Sequence, residues 1–129
     1  MRKRMVSGEK PLYWVSSSKR DLLAMPPAVV RHLGTALSVA QYGGKHPNAK
    51  PWKGQGPGVF EVVSDHRTDT YRAAYVVRFE KAVYVLHCFQ KKSPSGRSTA
   101  RTDVDLIERR LKAAQLDYEA KYGKGGEQG

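Results

Sequence analysis

Three apolar runs separated by short polar turns fill residues 59–90, and no other feature limits the fold of this chain so much. Val59–Ser64, Thr70–Phe79 and Ala82–Gln90 are rich in β-branched and aromatic residues. The links between them, Asp65–Asp69 and Glu80-Lys81, are too short for a parallel crossover. The runs are therefore expected to pair as antiparallel hairpins. In the third run, two-residue alternation sets Val83, Val85, His87 and Phe89 on one face. Tyr84, Leu86, Cys88 and Gln90 fall on the other. Large groups on both faces mark a central, covered strand.

Helical signals flank this β region. Leu12–Val15 reads as a short first strand. Ser18 with Asp21 resembles a capping box opening a short helix, Lys19–Ala24, which Pro26-Pro27 interrupts. Proline at the first turn suits a second helix. Val29, Val30, Leu33, Leu37 and Ala40 share one face of it, and Gly43-Gly44 supplies the stop. Residues 45–58 are broken by Pro47, Pro51, Pro57 and three glycines and read as a loop. A final helix from Thr102 carries the stripe Val104, Ile107, Leu111, Ala114, Tyr118 and Tyr122, with Asp103 and Asp105 near its positive end. The class is α+β. An antiparallel, partly mixed sheet of about four strands is expected to carry an N-terminal helical hairpin and a C-terminal helix packed on one side. The opposite sheet face would be left free as a working surface. Residues 11–122 form the expected single domain, between a flexible basic start (1–10) and a flexible tail (123–129).

The 129 residues suffice for one core. Cys88 is the only cysteine, which excludes an intrachain disulfide and fits a reducing compartment. The charge is lopsided: residues 1–100 hold 17 basic and 6 acidic side chains, and 101–129 hold 6 of each. A net charge of +11 points to a polyanionic partner, with nucleic acid first. An acidic protein partner would satisfy the same charge. The basic start is followed by no apolar segment of signal-peptide type, and no run is long enough to span a bilayer, so a cytoplasmic protein without membrane contact is expected.

His32, His46, His66 and His87 show no metal-ligand spacing, and Gly54-x-Gly56-x-Gly58 precedes a strand instead of a helix. Neither a metal nor a nucleotide cofactor is expected. What remains is a basic and aromatic set: Lys50, Trp52, Lys53, Glu61, Arg72, His87, Phe89, Lys91 and Lys92. Each has a plain structural alternative. Glu61 and Arg72 could form a cross-strand bridge, His87 could be a satisfied core histidine, and Lys91-Lys92 a solvated strand end. Trp52 and Phe89 could be packing residues. Arg31, Arg109 and Arg110 read as exposed helix positions.

The stretch Ala49-Lys-Pro-Trp-Lys-Gly-Gln-Gly-Pro-Gly-Val-Phe-Glu61 is followed by Thr70-Tyr-Arg-Ala-Ala-Tyr75 and by Val83-Tyr-Val-Leu-His-Cys-Phe-Gln-Lys-Lys-Ser93. In this order the motifs resemble the RelE/ParE toxin superfamily, in its HigB-like, phage-associated branch. With Asp21-Leu22 and Met25-Pro26 ahead of them, the resemblance spans residues 11–120. It implies a RelE-like fold and the toxin of a type II toxin–antitoxin pair, an endoribonuclease that cleaves mRNA without a metal, often on the ribosome. The cognate antitoxin is expected to be a helix-turn-helix protein.

Metal-free RNA cleavage makes the 2′-hydroxyl the in-line nucleophile and leaves a 2′,3′-cyclic phosphate. It needs a base, cations for the phosphoryl oxygens and an acid for the leaving 5′-oxygen. Arg72 is the first choice for the phosphate, since a guanidinium grips two oxygens. Lys91 and Lys92 supply further charge and a donor, and Glu61 or His87 the base. Lys50 and Lys53 would bind backbone phosphates, with Trp52 or Phe89 stacking on a base. Several RelE-like nucleases carry a catalytic Tyr or His near the C-terminus. Here Tyr122 falls on the helix stripe, which leaves the acid open. Two other readings account for the charge: a non-catalytic nucleic-acid-binding module, and a ParE-like toxin directed at gyrase. A phage structural role is a further one.

Overall fold

The computed structural model describes residues 8–91 and 100–124. Strand β1 (Leu12–Trp14) leads into helices α1 (Ser18–Leu23) and α2 (Pro27–Gln41), a short strand β2 (Ala49–Pro51), and strands β3 (Val59–His66), β4 (Asp69–Val76) and β5 (Val83–Lys91). Helix α3 (Arg101–Tyr122) closes the described chain. The sheet order is β1-β5-β4-β3-β2. All pairings are antiparallel except β1 with β5, which run parallel.

The α+β class and the β3-β4-β5 meander follow the sequence pattern. Four details differ from it. First, the sheet has five strands, because Ala49–Pro51 pairs with Phe60–Val62 along the outer edge of β3. Proline is confined to edges and bulges in a sheet, so a segment that looks like a loop is admitted as an edge strand. Second, the hydroxyl of Ser18 makes no cap: it is fully buried and donates to the Val85 carbonyl at 3.2 Å. The residue before the helix, Ser17, instead bonds Asp21 Oδ2 at 2.8 Å.

The third difference is in the layering. Helix α2 packs Val29, Leu33, Leu37 and Ala40 against Val62, Ala73, Tyr75, Val83 and Val85, with Leu22 of α1 in the same cluster. Helix α3 packs Ile107, Leu111, Ala114 and Tyr118 against Val59, Ala74, Val76, Tyr84 and Leu86. Successive residues of β4 therefore face opposite helices. The three helices do not share one side, and no sheet face is left free. Strands β4 and β5 carry apolar side chains at consecutive positions, and burying both faces requires cover on both.

Strand β5 is also irregular. Ala74 faces His87 and Tyr75 faces Val85, so Leu86 has no partner on β4. This bulge breaks the simple alternation. Val83 and Val85 join Cys88 on the α2 side, whereas Tyr84, Leu86 and Phe89 join the α3 side. The four-residue face Val83, Val85, His87, Phe89 expected from period two does not exist. His87 and Phe89 are re-aimed by one inserted residue.

Candidate functional site

Beyond the apolar body of the sheet, the α3-side face turns polar. Lys50 on β2 is the cross-strand partner of Glu61 on β3. Arg72 on β4 lies opposite Phe89 on β5, and Thr70 opposite Lys91. Alternation along each strand puts Lys50, Glu61, Arg72 and Lys91 on one side of the pleat.

Arg72 and Glu61 are joined directly. Nη1 of Arg72 donates to Oε1 of Glu61 at 2.5 Å, and each side chain is 9% exposed. The Nε of Arg72 is buried and has no hydrogen-bond partner. The guanidinium is thus anchored by one nitrogen while a second donor is unused. Lys91, half-buried at the strand end, feels the same group. Burial, then Arg72, with Lys50 behind, hold its ammonium below the ordinary lysine range, and Glu61 pulls the other way. Lys50 and Lys53 are exposed. The result is a buried ion pair rimmed by cations, an arrangement suited to a phosphodiester.

The aromatic candidates sit differently. Trp52 and Phe89 are each 7% exposed and belong to the cluster under α3. Their rings support the polar end from within and do not offer open faces for stacking a base. Phe89 is already stacked, on His87, with ring centroids 4.6 Å apart and planes 11° apart. Lys92 lies outside the described residues, as do the first seven residues, the rest of the basic loop after Lys91 up to residue 99, and residues 125–129.

Residues 20–112 match the family described as Phage derived protein Gp49-like. This chain belongs to that family, one of RelE/HigB-type toxins. Among solved structures, the toxin–antitoxin complex RelBE2 from Mycobacterium tuberculosis is similar at 19% identity, covering 68% of this chain and 98% of that one, with a TM-score of 0.42. No curated protein matches.

Around His87 the Gp49-like chain carries a polar network. Nε2 of His87 is 2.8 Å from Oδ1 of Asp103, and Nδ1 faces Nη1 of Arg110 at 3.5 Å. The same Nη1 donates to the Leu86 carbonyl at 3.0 Å, and Nη2 donates to Ser17 Oγ at 3.1 Å. Burial lowers the His87 pKa below 6.5, with Arg110 adding to the effect and Asp103 opposing it. Ala74 links His87 to Glu61 in one cross-strand row, but both ring nitrogens of His87 already have partners.

Arg110 is not the exposed helix residue expected from sequence. The signal was present: Asp103, Ile107, Arg110 and Ala114 recur at helical spacing on one face. Cys88 is buried, its thiol pushed up to about 12, so it is an inert core residue. Among the described residues no three His, Cys, Asp or Glu side chains form a metal-holding group. No helix among them is long and apolar enough to cross a membrane.

Proposed function

We propose that this toxin is a metal-independent endoribonuclease that cleaves mRNA, free or on the ribosome, and so stops translation in the cytoplasm. The observation that carries the reading is the gathering of Arg72, Lys91 and Lys50 around Glu61 on one strand-end face. The 2′-hydroxyl of the substrate attacks its own phosphorus in line, its proton passing to Glu61. The bond to the 5′-oxygen breaks, and that oxygen takes a proton from Lys91. The products are a 2′,3′-cyclic phosphate and a 5′-hydroxyl. Arg72 offsets the charge that grows on the phosphoryl oxygens. A lysine held below its ordinary pKa is a better proton donor than a free one, which suits Lys91 to the acid role. Lys50, Lys53 and Lys92 bind flanking phosphates. The cognate antitoxin, a small helix-turn-helix protein, covers this basic face with an acidic segment.

The test is induction of the chain in cells without its antitoxin, with mapping of mRNA 5′ ends. Growth arrest with new mRNA ends that Arg72→Ala abolishes is the expected result. Arrest with intact mRNA and damaged DNA assigns the protein to the gyrase-directed class. Growth without arrest, together with salt-sensitive RNA binding in vitro, makes it a binding module.

A further inference from the structure

The bulge in β5 leaves Leu86 without a residue opposite it on β4, at the point where the sheet turns polar. A buried carbonyl in that position needs a donor. Arg110 supplies it from α3 and also grips Ser17, which bonds Asp21. One guanidinium therefore ties three elements together: the central strand, the last helix and the start of α1.

The same guanidinium decides the chemistry of the neighbouring imidazole. A guanidinium only donates hydrogen bonds, so the nitrogen it faces must be bare. Nδ1 of His87 faces Arg110, and Nε2 faces the Asp103 carboxylate, an acceptor. Those two partners are satisfied together by one state, the neutral ring with its proton on Nε2. Asp21 on α1 is a second carboxylate whose field reaches the ring. The flat ring then rests on Phe89, the direct cross-strand neighbour of Arg72.

We infer that Arg110 and Asp103 are positioning residues for the proposed cleavage: they fix His87 as the neutral Nε2–H tautomer, and the His87–Phe89 stack holds the strand position from which Arg72 reaches the phosphate. Neither residue touches RNA. The inference rests on the endoribonuclease reading for its consequence, but the tautomer can be measured without it.

The experiment is a pH titration of the full chain by long-range nitrogen–proton NMR of its imidazoles, with RNA-cleavage kinetics alongside. In the wild type, His87 is expected to carry its proton on Nε2 at neutral pH and to titrate below the ordinary midpoint of about 6.5. Arg110→Ala should raise that midpoint and lower kcat roughly tenfold with KM within about twofold, since geometry is lost and phosphate contacts are kept. Arg110→Lys should recover the midpoint better than the rate, because a lysine cannot bridge three acceptors. A wild-type ring protonated on Nδ1, or titrating above 6.5, overturns the inference, as does a rise in KM alone for Arg110→Ala. Absence of cleavage by the wild type refutes the endoribonuclease reading, and the positioning role with it, while the tautomer result still reports whether the network itself is correctly described.

Discussion

Arg72 is held by Glu61 across neighbouring strands, two positions out of direct register: Arg72 faces Val63 and Glu61 faces Ala74. Breaking a buried ion pair by removing one partner leaves the other charge uncompensated, which costs more than the intact pair contributes. Glu61→Ala is therefore expected to destabilise the fold by about 3 kcal/mol. The double substitution Glu61→Met, Arg72→Met should lose far less, because no charge is stranded. Urea denaturation of the three proteins checks this. Equal losses for the single and double substitutions would mean that Arg72 left without Glu61 is not a costly buried charge.

The second prediction concerns the charge on Lys91. Burial first, then Arg72 and Lys50, push its pKa down, and Glu61 lifts it. Lys50→Ala removes a like charge, so the Lys91 midpoint should rise toward the ordinary lysine value. Glu61→Gln removes the opposing negative charge and should lower it further. NMR of isotopically methylated lysines reads both shifts. If the two substitutions move the midpoint in the same direction, the electrostatic account of Lys91 is wrong.

How much of this was legible in the sequence depends on whether a feature is local. The β3-β4-β5 meander was, since its apolar runs and short polar links lie within one stretch of chain. So was the stripe on α3, because helical spacing repeats every turn. The members of the polar cluster could be named from Lys50, Glu61, Arg72 and Lys91, but not their state. That Glu61 and Arg72 are buried follows from strand order, which no short window contains. Strand β2 was missed because Lys50-Pro51 has poor strand propensity, and only its pairing with Phe60–Val62 makes it a strand. The bulge at Leu86 was missed for a related reason. Every residue from Val83 to Phe89 is compatible with plain alternation, and only the partner strand shows that one is extra. Arg110 was misread because a lone arginine beside an apolar stripe looks solvated until the carbonyl it satisfies is known.

Stability should depend on pH through His87. Its pKa is lowered in the folded protein, so the unfolded chain binds the proton more tightly. The contribution of the neutral ring is fully present above about pH 6.5, the unfolded value. It is lost as pH falls through the lower folded value. Urea unfolding at pH 7.5 and again near pH 5 should show a drop for the wild type. His87→Gln removes the titrating group and should shrink that drop. A drop of unchanged size in the variant would assign the acid sensitivity to carboxylates elsewhere.

The last prediction separates two kinds of glycine. Gly58, which opens the approach to β3, has φ +81, and a Cβ there would lie 2.6 Å from Cβ of Arg78 and 3.2 Å from its backbone. Its carbonyl also accepts from Val77 N–H at 2.8 Å, so the segment cannot swing aside without breaking the link between the ends of β3 and β4. Gly58→Ala combines left-handed strain with a clash against backbone, and a loss above about 2 kcal/mol is expected. Gly34 lies inside α2, and a Cβ there would meet nothing within 4 Å. Gly34→Ala removes backbone freedom from the unfolded chain without cost to the fold, and should stabilise by about 0.5–1 kcal/mol. Thermal unfolding of the two variants should therefore move in opposite directions. A stabilised Gly58→Ala protein would show that the turn before β3 is not built as described, and that Lys50, which lies opposite Glu61 on the same β2–β3 edge, is placed by something else.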